Sequence, residues 1–157
     1  MSPVIVGIQT NHPEGKIFLA QLLKEFSKAF SIHKVSSVYR LKEQEGLCLA
    51  LSAETEMSAR DLLEYLHKRE ESYRSQVLRR NIDLTLLLFG NQTQMSRDLT
   101  LPHPELHERA EYLIPATEVE PEVIHPVLEE TLLDLSRRHA KRNWGEFLSQ
   151  GQELLDF

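Results

Sequence analysis

The sequence predicts an α+β fold of the split βαβ, ferredoxin-like type: an antiparallel sheet with two helices on one face, followed by C-terminal helical additions. Three observations carry this. Stretches with β-type composition or two-residue alternation recur at 4–9, 31–41, 47–53 and 82–89. Apolar residues recur at helical spacing after Lys16 and again after Ser58. The pieces run strand, helix, strand, strand, helix, strand. At 157 residues, the usual size prior reads the chain as one domain, 1–157, with a core of its own.

Each element has a local reason. Val4 to Gln9 is β-rich, and Asn11-His12-Pro13-Glu14-Gly15 after it is turn chemistry. From Lys16, the residues Leu19, Leu22, Leu23, Phe26 and Phe30 form the apolar stripe of a first helix. Ser31 to Leu41, with Ile32, Val35, Val38 and Tyr39, reads as the second strand, and 42–46 as a polar connection. Leu47, Leu49 and Leu51 alternate with Cys48, Ala50 and Ser52 in a third strand. Ser58, with Asp61 three residues on, is an N-cap for a helix that runs to about Ser72. A basic connection from Arg74 to Arg80 leads into the fourth strand, Ile82 to Phe89, which Gly90-Asn91 ends. Beyond it, Leu101-Pro102-His103-Pro104 reads as extended. Helices are expected over Glu105 to Tyr112, Val127 to His139 and part of Trp144 to Leu155.

Composition excludes some classes. Net charge is −6, which argues against a broad nucleic-acid surface but leaves room for a local basic pocket. No apolar run is long enough to span a bilayer, so neither a nucleic acid nor a membrane is an expected partner. The N-terminal stretch lacks the basic start and small-residue cleavage site of a signal peptide. One cysteine, Cys48, excludes an intramolecular disulfide and suits a cytoplasmic setting.

Asp83 is the residue with the clearest chemical promise. It is a carboxylate set among aliphatics in Arg80-Asn81-Ile82-Asp83-Leu84-Thr85-Leu86-Leu87-Leu88-Phe89-Gly90. A buried carboxylate needs a cation or a metal. Read alone, Asp83 fits a strand-end residue paired with Arg80 or Lys34. His103 fits a packed histidine at a Pro-rich turn. Arg109, with Glu105, Glu108 and Glu111 nearby, fits a surface ion pair. Arg137-Arg138-His139 with Lys141-Arg142 fits compensation of a helix dipole. Cys48 has no adjacent base and reads as a packed thiol. The histidines at 33, 67, 125 and 139 show no metal-ligand spacing.

Taken together, several pieces resemble one family, the 6-hydroxymethyl-7,8-dihydropterin pyrophosphokinases of folate synthesis. The carriers are Ser36-Ser37-Val38-Tyr39-Arg40, Arg80-Asn81-Ile82-Asp83-Leu84, Leu87-Leu88-Phe89-Gly90, Leu99-Thr100-Leu101-Pro102-His103-Pro104, and Pro115-Ala116-Thr117-Glu118-Val119-Glu120-Pro121. The resemblance implies the same βαββαβ core and transfer of the β,γ-diphosphate of ATP to the hydroxymethyl group of a reduced pterin, a reaction of positioning and charge neutralisation. It implies Mg²⁺ held by two strand aspartates one residue apart, on one sheet face. Asp83 matches the first, and Thr85 stands in place of the second. Thr85 offers a neutral hydroxyl, a weaker magnesium ligand. Arg80 matches a triphosphate-contacting, catalytic arginine, His103 a nucleotide-contacting histidine, Arg109 a phosphate-binding arginine and Glu70 a glutamate near the adenine-ribose end.

The pterin-binding positions depart further. The family sandwiches the pterin between two aromatics and reads it with an asparagine. Those positions are Gly46, Glu111 and Cys48 here. The loop after Arg40 and the arginine-rich loop before Arg80 are both shorter than the family's, and the second loop's usual tryptophan is Val77. The first strand ends Gln9-Thr10-Asn11 rather than Gly-Ser-Asn. These departures predict a degenerate member that keeps a nucleotide partner while its pterin pocket and its activity are weakened or lost. An enzyme with relocated metal ligands and a non-catalytic nucleotide-binding or interaction module are the alternatives.

Overall fold

A computed structural model describes residues 1–76, 82–139 and 143–155. Strand β1 (Ser2–Thr10) is followed by helix α1 (Gly15–Ala29), β2 (Ser31–Val35), β3 (Val38–Leu41), β4 (Leu47–Thr55), α2 (Ala59–Gln76) and β5 (Ile82–Phe89). The large sheet has the order β5-β1-β4-β3, with β2 also on β4, and these pairings are antiparallel. With β2 and β3 taken as one interrupted strand, this is the ferredoxin-like order the sequence predicts.

Both faces of the sheet are covered. Val4, Val6 and Ile8 of β1 point, with Leu49, Leu51, Ile82 and Leu84, into one core against Leu19, Leu22, Leu23 and Phe26 of α1 and Leu62 and Leu66 of α2. Ile5, Ala50, Leu87 and Leu88 point to the other face, against Leu106, Leu113, Ala116, Leu132 and Leu135. This second layer belongs to helix α3 (Ala110–Val119) and the short helix α4 (Leu132–Ser136). Two-sided burial explains why the strands read as almost continuous apolar runs. Ser58 caps α2 as expected, its Oγ accepting from Asp61 N–H at 3.1 Å.

Four element assignments need correction. The second strand is broken at Ser36-Ser37. Ser36 exchanges bonds with Ala50, its N–H donating to the Ala50 carbonyl at 2.8 Å and its Oγ accepting from Ala50 N–H at 2.9 Å. Ser37 turns its N–H and hydroxyl to Glu118, both at 2.7 Å. The stretch 105–112 is mostly turns: Arg109 is extended, at φ −107°, and α3 starts only after it. Residues 127–131 are not helical. His125 Nδ1 takes the N–H groups of Val127 and Leu128, and Glu129 sits at φ 59°. Helix begins once Thr131 accepts from Asp134 N–H. The C-terminal tail is not a helix over most of its length. Gly145–Ser149 forms β8 on the outer edge of β3, and a 3₁₀ turn follows at Gly151–Leu155. Covering an open sheet edge wins over weak helical periodicity there. The turn presses so closely on Ser36 that a Cβ at Gly151 would lie 1.7 Å from the Ser36 carbonyl oxygen. Two short strands, β6 (Gln94–Met95) and β7 (Thr100–Leu101), make a separate pair. No described helix is long and apolar enough to cross a membrane.

Candidate active site

The site is built on the α3 side of the sheet, near the N-terminal end of β5. Residues directly opposed in antiparallel strands share a face. The register therefore lines up Asp83 (β5), Gln9 (β1), Cys48 (β4), Tyr39 (β3) and Phe147 (β8) in one row across the sheet. Thr85 and Gly7 lie one step further along. The residues that Sequence analysis singled out on β4 and β5 are thus brought to one face.

Asp83 is not buried, contrary to expectation. Its side chain is 55% exposed and pairs with Arg74 at 3.4 Å. Among the described residues the partner is Arg74 rather than Lys34: α2 runs on to Gln76, which carries Arg74 alongside the start of β5. The same guanidinium donates to the Ile82 carbonyl at 3.1 Å. Glu70, one turn earlier, accepts the Leu84 N–H at 2.8 Å. β5 is an edge strand, so α2 uses Glu70 and Arg74 to satisfy backbone groups that have no neighbouring strand. Burial holds the Glu70 carboxyl above the ordinary carboxylate range, against the opposing pull of the Leu84 N–H and Arg74. Thr85 neighbours the phenol of Tyr112, whose ring packs over Gly7; burial raises the phenol's pKa and the Thr85 hydroxyl pulls it the other way. Thr85, expected at the place of a second metal ligand, thus presents a neutral hydroxyl next to that phenol.

His103 lies at the Pro-rich segment beside this pair. Its N–H donates to the Leu87 carbonyl at 2.9 Å, and its ring meets Tyr112 edge-on at 5.2 Å. Burial, reinforced by Arg109, lowers its proton affinity. Nδ1 accepts the Glu105 N–H at 3.1 Å, so the neutral ring carries its proton on Nε2. A cleft of about 320 Å³ opens here, lined among others by His103, His67, Leu63, Thr85 and Leu99. Arg109 faces carboxylates rather than open space. It pairs with Glu111, and with Glu105 at 3.3 Å, and its guanidinium lies 4.9 Å from the centre of the Tyr112 ring. Arg80 and Val77 lie outside the described residues.

The far end of the row is shaped by Gly46, Cys48 and Glu111. Gly46 sits at φ +151°, and a Cβ there would be 3.1 Å from the Thr10 carbonyl oxygen. An aromatic at this position needs a different backbone. Cys48 is fully buried, and burial together with the nearby Glu111 charge pushes its thiol up to about 12. A small recess joins Gln9, Asn11, Gln44, Gly46 and Asp83. A larger cleft of about 680 Å³ continues past Leu41 and Gln44 to Glu108, Arg109, Glu111 and Trp144.

As a holder for magnesium, the donor set does not fit a two-ion clamp. It offers one carboxylate, already ion-paired, and one neutral hydroxyl. Among the described residues no three His, Cys, Asp or Glu side chains converge on a metal position. Sequence reasoning missed Arg74, Tyr112, Gln9 and Trp144. Arg74 had no signal short of the true end of α2, whereas Trp144, the only tryptophan, could have been flagged by composition.

Residues 5–121 match the profile of the family described as 7,8-dihydro-6-hydroxymethylpterin-pyrophosphokinase (HPPK). The chain is 29% identical over 142 residues to the 2-amino-4-hydroxy-6-hydroxymethyldihydropteridine pyrophosphokinase of Aquifex aeolicus, covering 84% of this chain and 89% of that one. It is 29% identical over 135 residues to the Haemophilus influenzae protein of the same name, covering 78% and 83%. Among solved structures it is similar to Plasmodium falciparum HPPK-DHPS, wild type, with pterin and p-hydroxybenzoate. The TM-score is 0.73 at 13% identity, over 90% of this chain and 42% of that one. A triple mutant of the same protein with pteroate gives 0.74 at 12% identity, over 90% and 44%. This chain spans under half the length of those structures, and the likeness to them is one of fold.

Proposed function

The chain belongs to the 7,8-dihydro-6-hydroxymethylpterin-pyrophosphokinase family, and on that premise we propose that it binds ATP as diphosphate donor and a hydroxymethylpterin as acceptor but transfers the diphosphate slowly or not at all. The observation that carries this is the state of the β5 pair. Asp83 is tied to Arg74, and Thr85, in place of a second carboxylate, offers only a neutral hydroxyl beside Tyr112. Transfer of a diphosphoryl group depends on neutralising the charge that develops on its oxygens. Losing one of two metal-holding carboxylates removes most of that neutralisation.

The chain's own residues divide the remaining work. In this reading His103 offers its Nε2–H to the nucleotide, in the cleft it shares with His67 and Leu99. Arg74 holds the one carboxylate in place. Arg109 can meet a phosphate only by giving up Glu111 or Glu105. That competition favours one second reading, a nucleotide-binding module without turnover.

Calorimetry with MgATP, with and without 6-hydroxymethyl-7,8-dihydropterin, tests the proposal. Binding of both ligands with little AMP formed is the expected result. Turnover at a rate typical of enzymes, of order 1–100 per second, contradicts it. Binding of MgATP alone favours the second reading, and binding of neither overturns both.

A further inference from the structure

We infer that this chain holds the acceptor ring in a substitute pocket, with the indole of Trp144 as its stacking face and the carboxylate of Glu111 as the receiver of its N–H edge. The inference rests on the acceptor reading above. The two positions where the family places aromatics are Gly46 and Glu111, so the ring has lost its expected stacking partners. Trp144 lies outside the 5–121 stretch that matches the family. It reaches the site because β8 pairs with the outer edge of β3.

Four observations converge on the space beside Cys48. Trp144 lines the 680 Å³ cleft together with Glu111, Arg109 and Gln44. Its indole is 4.9 Å from the Tyr39 ring, and Tyr39 is the cross-strand partner of Cys48. Glu111 is close enough to Cys48 to raise its thiol. Gln9, opposite Cys48 on the other side, holds a buried Nε2 with no hydrogen-bond partner among the described residues. A buried donor left unpaired is costly, and an acceptor on a bound ring would satisfy it.

The indole packs on the Tyr39 ring, and the backbone that carries it is also held in advance. The Trp144 carbonyl accepts the Lys42 N–H at 3.1 Å, and the neighbouring Asn143 accepts from Lys42 Nζ at 2.6 Å. A preset aromatic wall loses little freedom on binding.

The chemistry of the walls names the ligand class. Glu43, Glu108 and Glu111 outnumber Arg109 around the cleft. Carboxylates beside an aromatic face suit a flat, electron-poor ring with adjacent N–H donors. An aminopyrimidinone edge, with an amino group next to a ring N–H, presents two parallel donors to one carboxylate. Oε1 of Glu111 is engaged by Arg109, so the two-donor contact requires the ligand to displace Arg109, which frees that guanidinium for a phosphate.

Calorimetry and the fluorescence of the lone tryptophan test this with three probes: 6-hydroxymethylpterin, lumazine, which has a carbonyl in place of the amino group, and guanosine. The expected result is saturable quenching of Trp144 by the pterin and a preference for pterin over lumazine. Trp144→Ala weakens pterin binding about tenfold or more, and Trp144→Phe restores most of it. Glu111→Gln abolishes the preference over lumazine, a ratio that a merely structural role would leave alone. Undiminished pterin binding in Trp144→Ala, or an unchanged ratio in Glu111→Gln, overturns the inference and leaves the acceptor reading standing. If the protein binds no pterin, the acceptor reading falls. Guanosine binding that depends on Trp144 then upholds the pocket, and its absence overturns it.

Discussion

Cys48 stands fully buried in the row of residues facing α3, and its surroundings decide its chemistry. Burial and the Glu111 charge push the thiol up to about 12. At pH 8 only roughly one thiol in ten thousand is then ionised, and the thiolate is the reactive form. Native protein is expected to resist labelling by a thiol-reactive disulfide reagent at pH 8 and to label fully in urea. Rapid labelling of native protein would mean that the cleft opens onto Cys48. The sequence already excluded a nucleophilic role for this residue on the ground that no base adjoins it. Asp83 was less legible. Its ion pair depends on Arg74 still being helical, and the apolar stripe that marks α2 fades before that point. The sequence reads Thr85 as standing in place of a carboxylate, whereas its place beside Tyr112 was not legible. Tyr112 belongs to an element whose start was misplaced.

Helix α3 is the element that turns a bare sheet face into a site. Leu113 and Ala116 bury it on the sheet, and Glu118 fastens it to the break between β2 and β3. That carboxylate accepts from Ser37 N–H and Oγ–H at 2.7 Å and from the Tyr39 hydroxyl at 2.6 Å. Glu118→Ala leaves the Ser37 N–H unsatisfied and is expected to cost about 2–3 kcal/mol. Urea unfolding with an unchanged slope reads this out, and a loss within about 0.5 kcal/mol, as for ordinary surface sites, contradicts the anchoring role. The strands and α1 were readable because alternation and helical spacing persist over several turns. The second half of the chain was not, because its geometry is set by side chains bonding to backbone. His125, Thr131 and Ser37 each redirect the chain in ways that apolar periodicity does not register.

At the scale of the whole molecule, acid sensitivity and activity follow from the same architecture. His125 is 3% exposed, and its Nδ1 holds two backbone N–H groups. Burial and the neighbouring His107 lower its proton affinity from the ordinary 6.5. The unfolded chain therefore binds more protons as pH drops below 6.5, and the stability held above that value is lost as pH falls toward the lowered folded value. Thermal melts at pH 7.5 and 5.5 are expected to show this loss. His125→Asn, less stable at pH 7.5, is expected to show a smaller difference between the two. An undiminished difference in the variant assigns the effect to other groups.

Family and fold were legible because motif order and the βαββαβ pattern agree, and so were the substitutions at Gly46, Cys48 and Glu111, whereas the place of Trp144 near them was not, because it depends on β8. The central claim, a family site weakened at one carboxylate, is tested most directly by AMP formation from MgATP and 6-hydroxymethyl-7,8-dihydropterin, with native protein and Thr85→Asp side by side. The account predicts a slow native protein and a gain of about tenfold or more in the variant, the scale of a restored charge-stabilising group. A fast native protein that Thr85→Asp does not improve would contradict it.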